Sequence, residues 1–443
     1  MKKLLSVVLA VLMLAVMLPV SALAAEGYVT VSGIKGFEGQ QFASFAEAYA
    51  AIKPTMETLG LGEETPVNAE AFDALFTDVT DGKATLTYTI SGNVTYDEAS
   101  CKNLLTMGRK TSHYLTNERH LINFKFVGAT GRDSDTLTVN SDITLPYEWW
   151  GEKTTTSISF ENLTITGTAP SGLYPTQKFF EGINFKVDNC KLEGIKIYNC
   201  SNVGGSYTIT NNIFDGTNAP QNAYAIHLQG NETAPLTINI SNNTISGYDR
   251  GINIDQKTAA ATISNNNISV KDTGRSCIQL TRLASTKVEN NTMNLTGGNA
   301  ITLHEELLKC AKPEITVSGN TINGTGYLIY DDATANNKSF TNDNLTLTIT
   351  EDNTVAKTVD ITQGVKGSTK YGMSEIVKTK VENNVVPGGS TGGTIVIVPD
   401  RTEDTPKTEP EKNPTTGAND MVAAAVALMA VSARGAAVHT RKK

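Results

Sequence analysis

Between Phe160 and Met293 one short frame recurs six times: an apolar residue, a polar one, Asn, two free positions and a second apolar residue. Its members are Phe160-Glu-Asn162-Leu-Thr-Ile165, Val187-Asp-Asn189-Cys-Lys-Leu192, Ile209-Thr-Asn211-Asn-Ile-Phe214, Ile240-Ser-Asn242-Asn-Thr-Ile245, Ile263-Ser-Asn265-Asn-Asn-Ile268 and Val288-Glu-Asn290-Asn-Thr-Met293. Successive Asn positions lie 27, 22, 31, 23 and 25 residues apart. Two looser members follow, Val317-Ser-Gly319-Asn-Thr-Ile322 and Val381-Glu-Asn383-Asn-Val-Val386. One such unit is too short to bury its own apolar face, so neighbouring units must stack to make a core. Of the 38 Asn in the 443 residues, 23 fall between Asn202 and Asn344. Scattered, that density would mean disorder. In register, Asn suits the corner of a coil: it tolerates left-handed backbone angles and its amide satisfies local backbone groups. Stacked copies then form a hydrogen-bonded ladder.

A second motif lies downstream of several frames: a small residue, Ile, any residue, an apolar one. It reads Gly194-Ile-Lys-Ile197, Ala225-Ile-His-Leu228, Gly251-Ile-Asn-Ile254, Cys277-Ile-Gln-Leu280 and Ala300-Ile-Thr-Leu303. Both motifs are short alternating strands. Several short strands per coil of about 25 residues predict a parallel β-helix. The stretch from about Ser157 to Asn384 resembles the right-handed parallel β-helix of pectate lyases, polygalacturonases and many bacterial surface proteins. The expected fold class is therefore all-β, a solenoid with a small mixed α/β N-terminal cap. Helical spacing over 43–60 and 69–76, then strands at Ala84–Ile90, Leu121–Val127 and Thr136–Val139, place the cap and first irregular coils in 26–156. A separate small domain there is the alternative. The repeats fill 157–386.

The two ends carry an address. Residues 1–25 read as a secretory signal: Lys2 and Lys3, an apolar run from Leu4 to Val20, then Ala22-Leu23-Ala24. Residues 387–412 have the Pro, Gly, Thr and acidic composition of an extended stalk. Residues 413–443 hold Asn413-Pro414-Thr415-Thr416-Gly417, an apolar stretch from Met421 to Val438 and a basic end, Arg441-Lys442-Lys443. This order resembles the cell-wall sorting signal of Gram-positive surface proteins. The resemblance implies sortase as a partner, a transient membrane span, a cut between Thr416 and Gly417 and attachment to peptidoglycan. The first residue of the pentapeptide is Asn where Leu is commoner, and Arg434 interrupts the apolar span.

The outward positions of the second motif define a polar stripe. One column is Lys196, His227, Asn253, Gln279 and Thr302; the next is Asn199, Gln229, Asp255, Thr281 and His304. Asp249, Arg250, Arg275, Arg282, Glu305 and Glu306 lie close by. Amides, His and charges on a flat strip suit sugar hydroxyls, so His227, Gln229, Arg250, Asn253, Gln279 and His304 are the candidate binding residues. Any soluble β-helix also needs polar outward positions. For an enzyme, the candidate carboxylates are Asp249, Asp255 and Glu305, since glycoside hydrolysis needs a carboxylate pair. A lyase would add Ca²⁺ held by several carboxylates and a basic residue, for which Asp249, Arg250 and Asp255 come nearest.

Tyr147-Glu148-Trp149-Trp150 is read as an aromatic plug of the N-terminal end. Cys101, Cys190, Cys200, Cys277 and Cys310 lack metal-site spacing and read as small buried thiols. His113 and His120 flank a basic stretch of loop character. With 37 basic against 45 acidic side chains, the net charge of -8 excludes the basic face of a nucleic-acid binder. No cofactor is implied. The leading expectation is a monomeric, wall-anchored adhesin or glycan-binding module facing host or dietary polysaccharide. The other is a surface polysaccharide lyase or glycoside hydrolase acting on acidic, host or dietary glycans.

Overall fold

A computed structural model describes residues 27–388, apart from 60–68, 81–82, 97–120, 142, 145–154, 170–171, 175–181, 202–203, 231–234 and 272–273. The segments read as signal peptide and as sorting signal with its apolar span, most of the one read as a stalk, the Trp149–Trp150 segment, Cys101, His113 and His120 lie outside these residues. No helix among the described residues is long and apolar enough to cross a membrane.

The chain winds as a right-handed parallel β-helix, with two long sheets of 12 and 17 strands among the described residues. A middle coil consists of Leu236–Ser241 in the first sheet, a corner, then Thr244–Tyr248 and Arg250–Asp255 in the second. Equivalent residues stack directly. Ile209 pairs with Ile240, Ile240 with Ile263, Ile263 with Val288 and Val288 with Val317. A second column runs Leu192, Phe214, Ile245, Ile268, Met293 and Ile322, and a third Ile197, Ile226, Ile252, Ile278, Ile301 and Ile329. All are buried, so the apolar face of each coil is covered only by its neighbours.

The corner divides its work between two adjacent residues. The Asn of the frame takes the left-handed conformation, with φ between 52° and 60° at Asn162, Asn189, Asn211, Asn242, Asn265 and Asn290. Gly319 takes the same conformation at φ 63°. The residue after it points inward and forms the ladder: Asn212, Asn243, Asn266, Asn291, Asn320 and Asn353, each at most 2% exposed. Each Oδ1 from Asn243 onward accepts from the backbone N–H and the Nδ2 of the preceding ladder Asn, at 2.9–3.0 Å. Each Nδ2 also donates to a backbone carbonyl, as Asn266 does to Ile240 at 2.9 Å.

The last expected repeat is not one. Val381–Val386 matches the frame, but the chain there forms the helix Glu375–Asn384. Val377, Val381 and Val385 recur at four-residue spacing and are buried, so helical periodicity prevails over the six-residue match. The true last ladder residue, Asn353, follows Ile349-Thr350-Glu351-Asp352. One extra residue relative to Val317-Ser318-Gly319 hides it from the frame.

Both ends are closed. At the N-terminal end the helices Phe45–Thr58 and Ala69–Leu75 occur where spacing predicts them. Parallel stacking begins with Lys83–Ser91 on Leu121–Gly128. Phe45 sits edge-on to Tyr88 and Tyr96 and heads a column of rings, Tyr88, Phe126, Phe160, Phe185 and Tyr207. At the C-terminal end the helix Glu375–Asn384 packs against the strand Thr346–Ile349.

Candidate functional site

The strands Ile197–Ser201, Tyr224–Gly230, Arg250–Asp255 and Ser276–Arg282, with the ends of Thr292–Leu303 and Thr321–Asp331, build one face of the second sheet. Their register puts Tyr198, His227, Asn253, Gln279, Thr302 and Tyr330 in one row. Tyr198, not Lys196, is thus the neighbour of His227. That slip of two residues keeps the face, so alternation alone cannot detect it. Asn199, expected beside Gln229, pairs instead with Leu228, a slip of one residue that moves it to the row of the other face. In the next row Gln229 stands beside Asp255, and a register shift then passes Asp255 to Arg282 instead of Thr281.

His227 lies between two rings, 5.0 Å from Tyr198 and 4.9 Å from Tyr224. Burial lowers its pKa to about 4, and Nε2 has no hydrogen-bond partner. The imidazole is therefore neutral at pH 7, and the three rings form an aromatic cluster whose planes are inclined by 63° and 46° to that of His227. The folded-state pKa lies below the unfolded one. The neutral ring's contribution to stability is therefore complete above about pH 6.5 and is lost as pH falls through 4. The unfolding free energy should fall further between pH 7 and pH 4 for the wild type than for His227→Gln, by about 3 kcal/mol. Parallel curves would contradict this.

Beyond the three rings the polar groups are linked in series. Arg250 Nη1 donates to the Tyr224 hydroxyl at 3.1 Å, and that hydroxyl donates to Gln279 Oε1 at 3.1 Å. Gln279 Nε2 donates to Thr281 at 2.9 Å, and Thr281 donates to Asn253 Oδ1 at 2.8 Å. The Arg250 guanidinium also lies 4.9 Å from the Tyr224 ring centroid, within cation–π range.

Between this network and the C-terminal end is a cavity of about 160 Å³, lined by Tyr224, Arg250, Gln279, Thr302 and His304, with Arg275, Tyr330, Asp332 and Lys366 around them. Lys366 comes from the hairpin Gly364–Lys366 and Thr369–Tyr371, which lies beside the sheet. Asp332, 2% exposed, accepts from the Tyr330 hydroxyl at 2.7 Å and from Lys366 Nζ at 3.0 Å. His304 Nδ1 accepts from Glu306 N–H, which leaves Nε2 to face Asp332 at 3.4 Å. Burial, then Asp332, pushes the Tyr330 phenol far above its usual range.

The three carboxylates expected of an enzyme do not meet. Asp249 lies at a bend before the strand Arg250–Asp255, at whose far end Asp255 stands. Asp249 accepts from the backbone N–H of Asn222, Asp255 pairs with Arg282, and Glu305 pairs with Lys338. Among the described residues no three His, Cys, Asp or Glu side chains group to hold a metal ion. Cys190 and Cys277 are free buried thiols pushed to about 12 by burial.

Of the expected binding residues, Arg250, Gln279 and His304 line the cavity, whereas His227 belongs to the aromatic cluster and Asn253 to the network. Gln229 accepts from the Tyr198 hydroxyl at 3.3 Å. Tyr198, Tyr224, Tyr330, Asp332 and Lys366 are additions. Tyr224 was open to detection: Tyr224, Arg250, Ser276 and Asn299 each precede the small residue of the second motif. Tyr224 pairs with Arg250, and Ser276 with Asn299.

Residues 171–345 match the family model described as right handed beta helix region. Neither a curated protein nor a solved structure matches the chain.

Proposed function

We propose that this β-helix is a surface-displayed glycan-binding module. The observation that carries the reading is the cluster of Tyr198, His227 and Tyr224 beside a polar cavity on one face of the second sheet. Aromatic side chains suit the apolar patches of sugar rings, and neighbouring amides and hydroxyls suit their hydroxyls. Binding is favoured over turnover because Asp249, Asp255 and Glu305 are separately engaged. A phenol held protonated, as Tyr330 is, makes a poor general base. On a glycan and mucin array, the purified chain is expected to retain a defined set of glycans. Tyr198→Ala should weaken retention about tenfold, with its melting temperature little changed. An array on which nothing is retained would overturn the reading.

The address completes the proposal. Residues 1–25 direct export, and sortase joins Thr416 to peptidoglycan, leaving the β-helix on its stalk outside the cell. This rests on the pentapeptide, apolar stretch and basic end standing in the order of a sorting signal. Muramidase digests are expected to release the chain ending at Thr416 with a wall peptide attached. Deleting Asn413–Gly417 should abolish that species. An intact C-terminus in the wall fraction would count against wall attachment.

A further inference from the structure

We infer that the cavity beside Arg250 is the seat for the acid group of a carboxylate-bearing sugar. The inference rests on the glycan-binding reading and deepens it. Arg250 and Lys366 line a cavity whose one carboxylate among the described residues is Asp332. This positive site sits on a chain of net charge -8. Asp332 is already engaged by Tyr330, Lys366 and His304.

Among the described residues no carboxylate forms an ion pair with Arg250. Its partners are neutral: the Tyr224 hydroxyl at 3.1 Å, Asn222 Oδ1 at 3.4 Å and the Tyr224 ring. Its Nε is buried without a hydrogen-bond partner. The adjacent carboxylate, Asp249, turns instead to the backbone N–H of Asn222 at 2.5 Å. One coil further on, Arg282 does pair with a carboxylate, Asp255. A half-buried guanidinium held on neutral groups is under-compensated, and an incoming carboxylate supplies what is missing. Tyr224, tied on to Gln279, fixes the guanidinium before any ligand arrives, which lowers the ordering cost of binding.

The test is a saturation-transfer titration of the purified chain with D-glucuronate, D-galacturonate, D-glucose, D-galactose and sodium sulfate, at low and high salt. The uronates are expected to bind at least about tenfold more tightly than their neutral parents, about 1.4 kcal/mol, and to weaken with salt. Arg250→Gln should abolish that preference. Lys366→Gln, on the exposed side of the hairpin, should reduce it several-fold and serves if Arg250→Gln fails to fold. Equal binding of neutral sugars would overturn the acid seat and leave the glycan reading standing. Uronate binding indifferent to both variants would overturn the location. Sulfate matching the uronates would reduce the site to a simple anion hole and overturn the sugar assignment. No binding by any sugar would overturn both readings.

Discussion

Asn266→Ala is expected to lower the stability of the coil by about 3 kcal/mol or more. Asn266 is 1% exposed, and its amide accepts from the N–H and Nδ2 of Asn243 while donating to Ile240 O and Asn291 Oδ1. The methyl group of Ala replaces none of these. Two buried donors on Asn243 lose their partners, each at about 1–3 kcal/mol. Its neighbour gives the control. Asn265 is exposed at φ 55°, so Asn265→Ala should cost about 1 kcal/mol for the left-handed backbone, and Asn265→Gly less. Chemical denaturation of the three variants decides the point. Equal losses at 265 and 266 would mean that the ladder adds nothing beyond the corner.

Asp331→Ala should release the C-terminal cap. Asp331 is fully buried and accepts from Ser374 N–H at 2.8 Å, from the Ser374 hydroxyl, and from the N–H groups of Ala333 and Thr334. Ser374 immediately precedes the helix Glu375–Asn384, whose Val377 and Val381 are buried. Without the carboxylate, several buried donors go unpaired, at about 3 kcal/mol or more in total. Hydrogen exchange across 375–384 should accelerate by about a hundredfold or more, since every 1.4 kcal/mol is a factor of ten. The variant should also self-associate, because an opened end exposes apolar columns and strand edges. Unchanged exchange in that helix would show that Asp331 does not hold it.

The coil was legible in the sequence because its evidence is periodic. Ile240, Ile263 and Val288 announce a buried column before any coordinates do, and the Asn beside them announce a corner. What periodicity leaves open is phase. Lys196 and Tyr198 share a face, so the frame could not tell which stands next to His227. Nor could it separate Asn265 from Asn266, since Asn is favourable both as an exposed left-handed corner and as a buried ladder rung. Half of the site followed from the repeat: Arg250, Gln279 and His304 sit at repeating positions. Lys366 and Asp332 do not, because the hairpin and the cap occur once and carry no internal copy to align.

In the proposed function the aromatic cluster and the cavity together form the glycan site. Mass-spectrometric footprinting of the chain with and without its strongest array ligand tests this most directly. Protection is expected at Tyr198, Tyr224, His227 and the segment 250–255, with none on the outer face of the first sheet around Lys125 and Lys186. Protection confined to that first sheet, or spread evenly over the coil, would contradict the account.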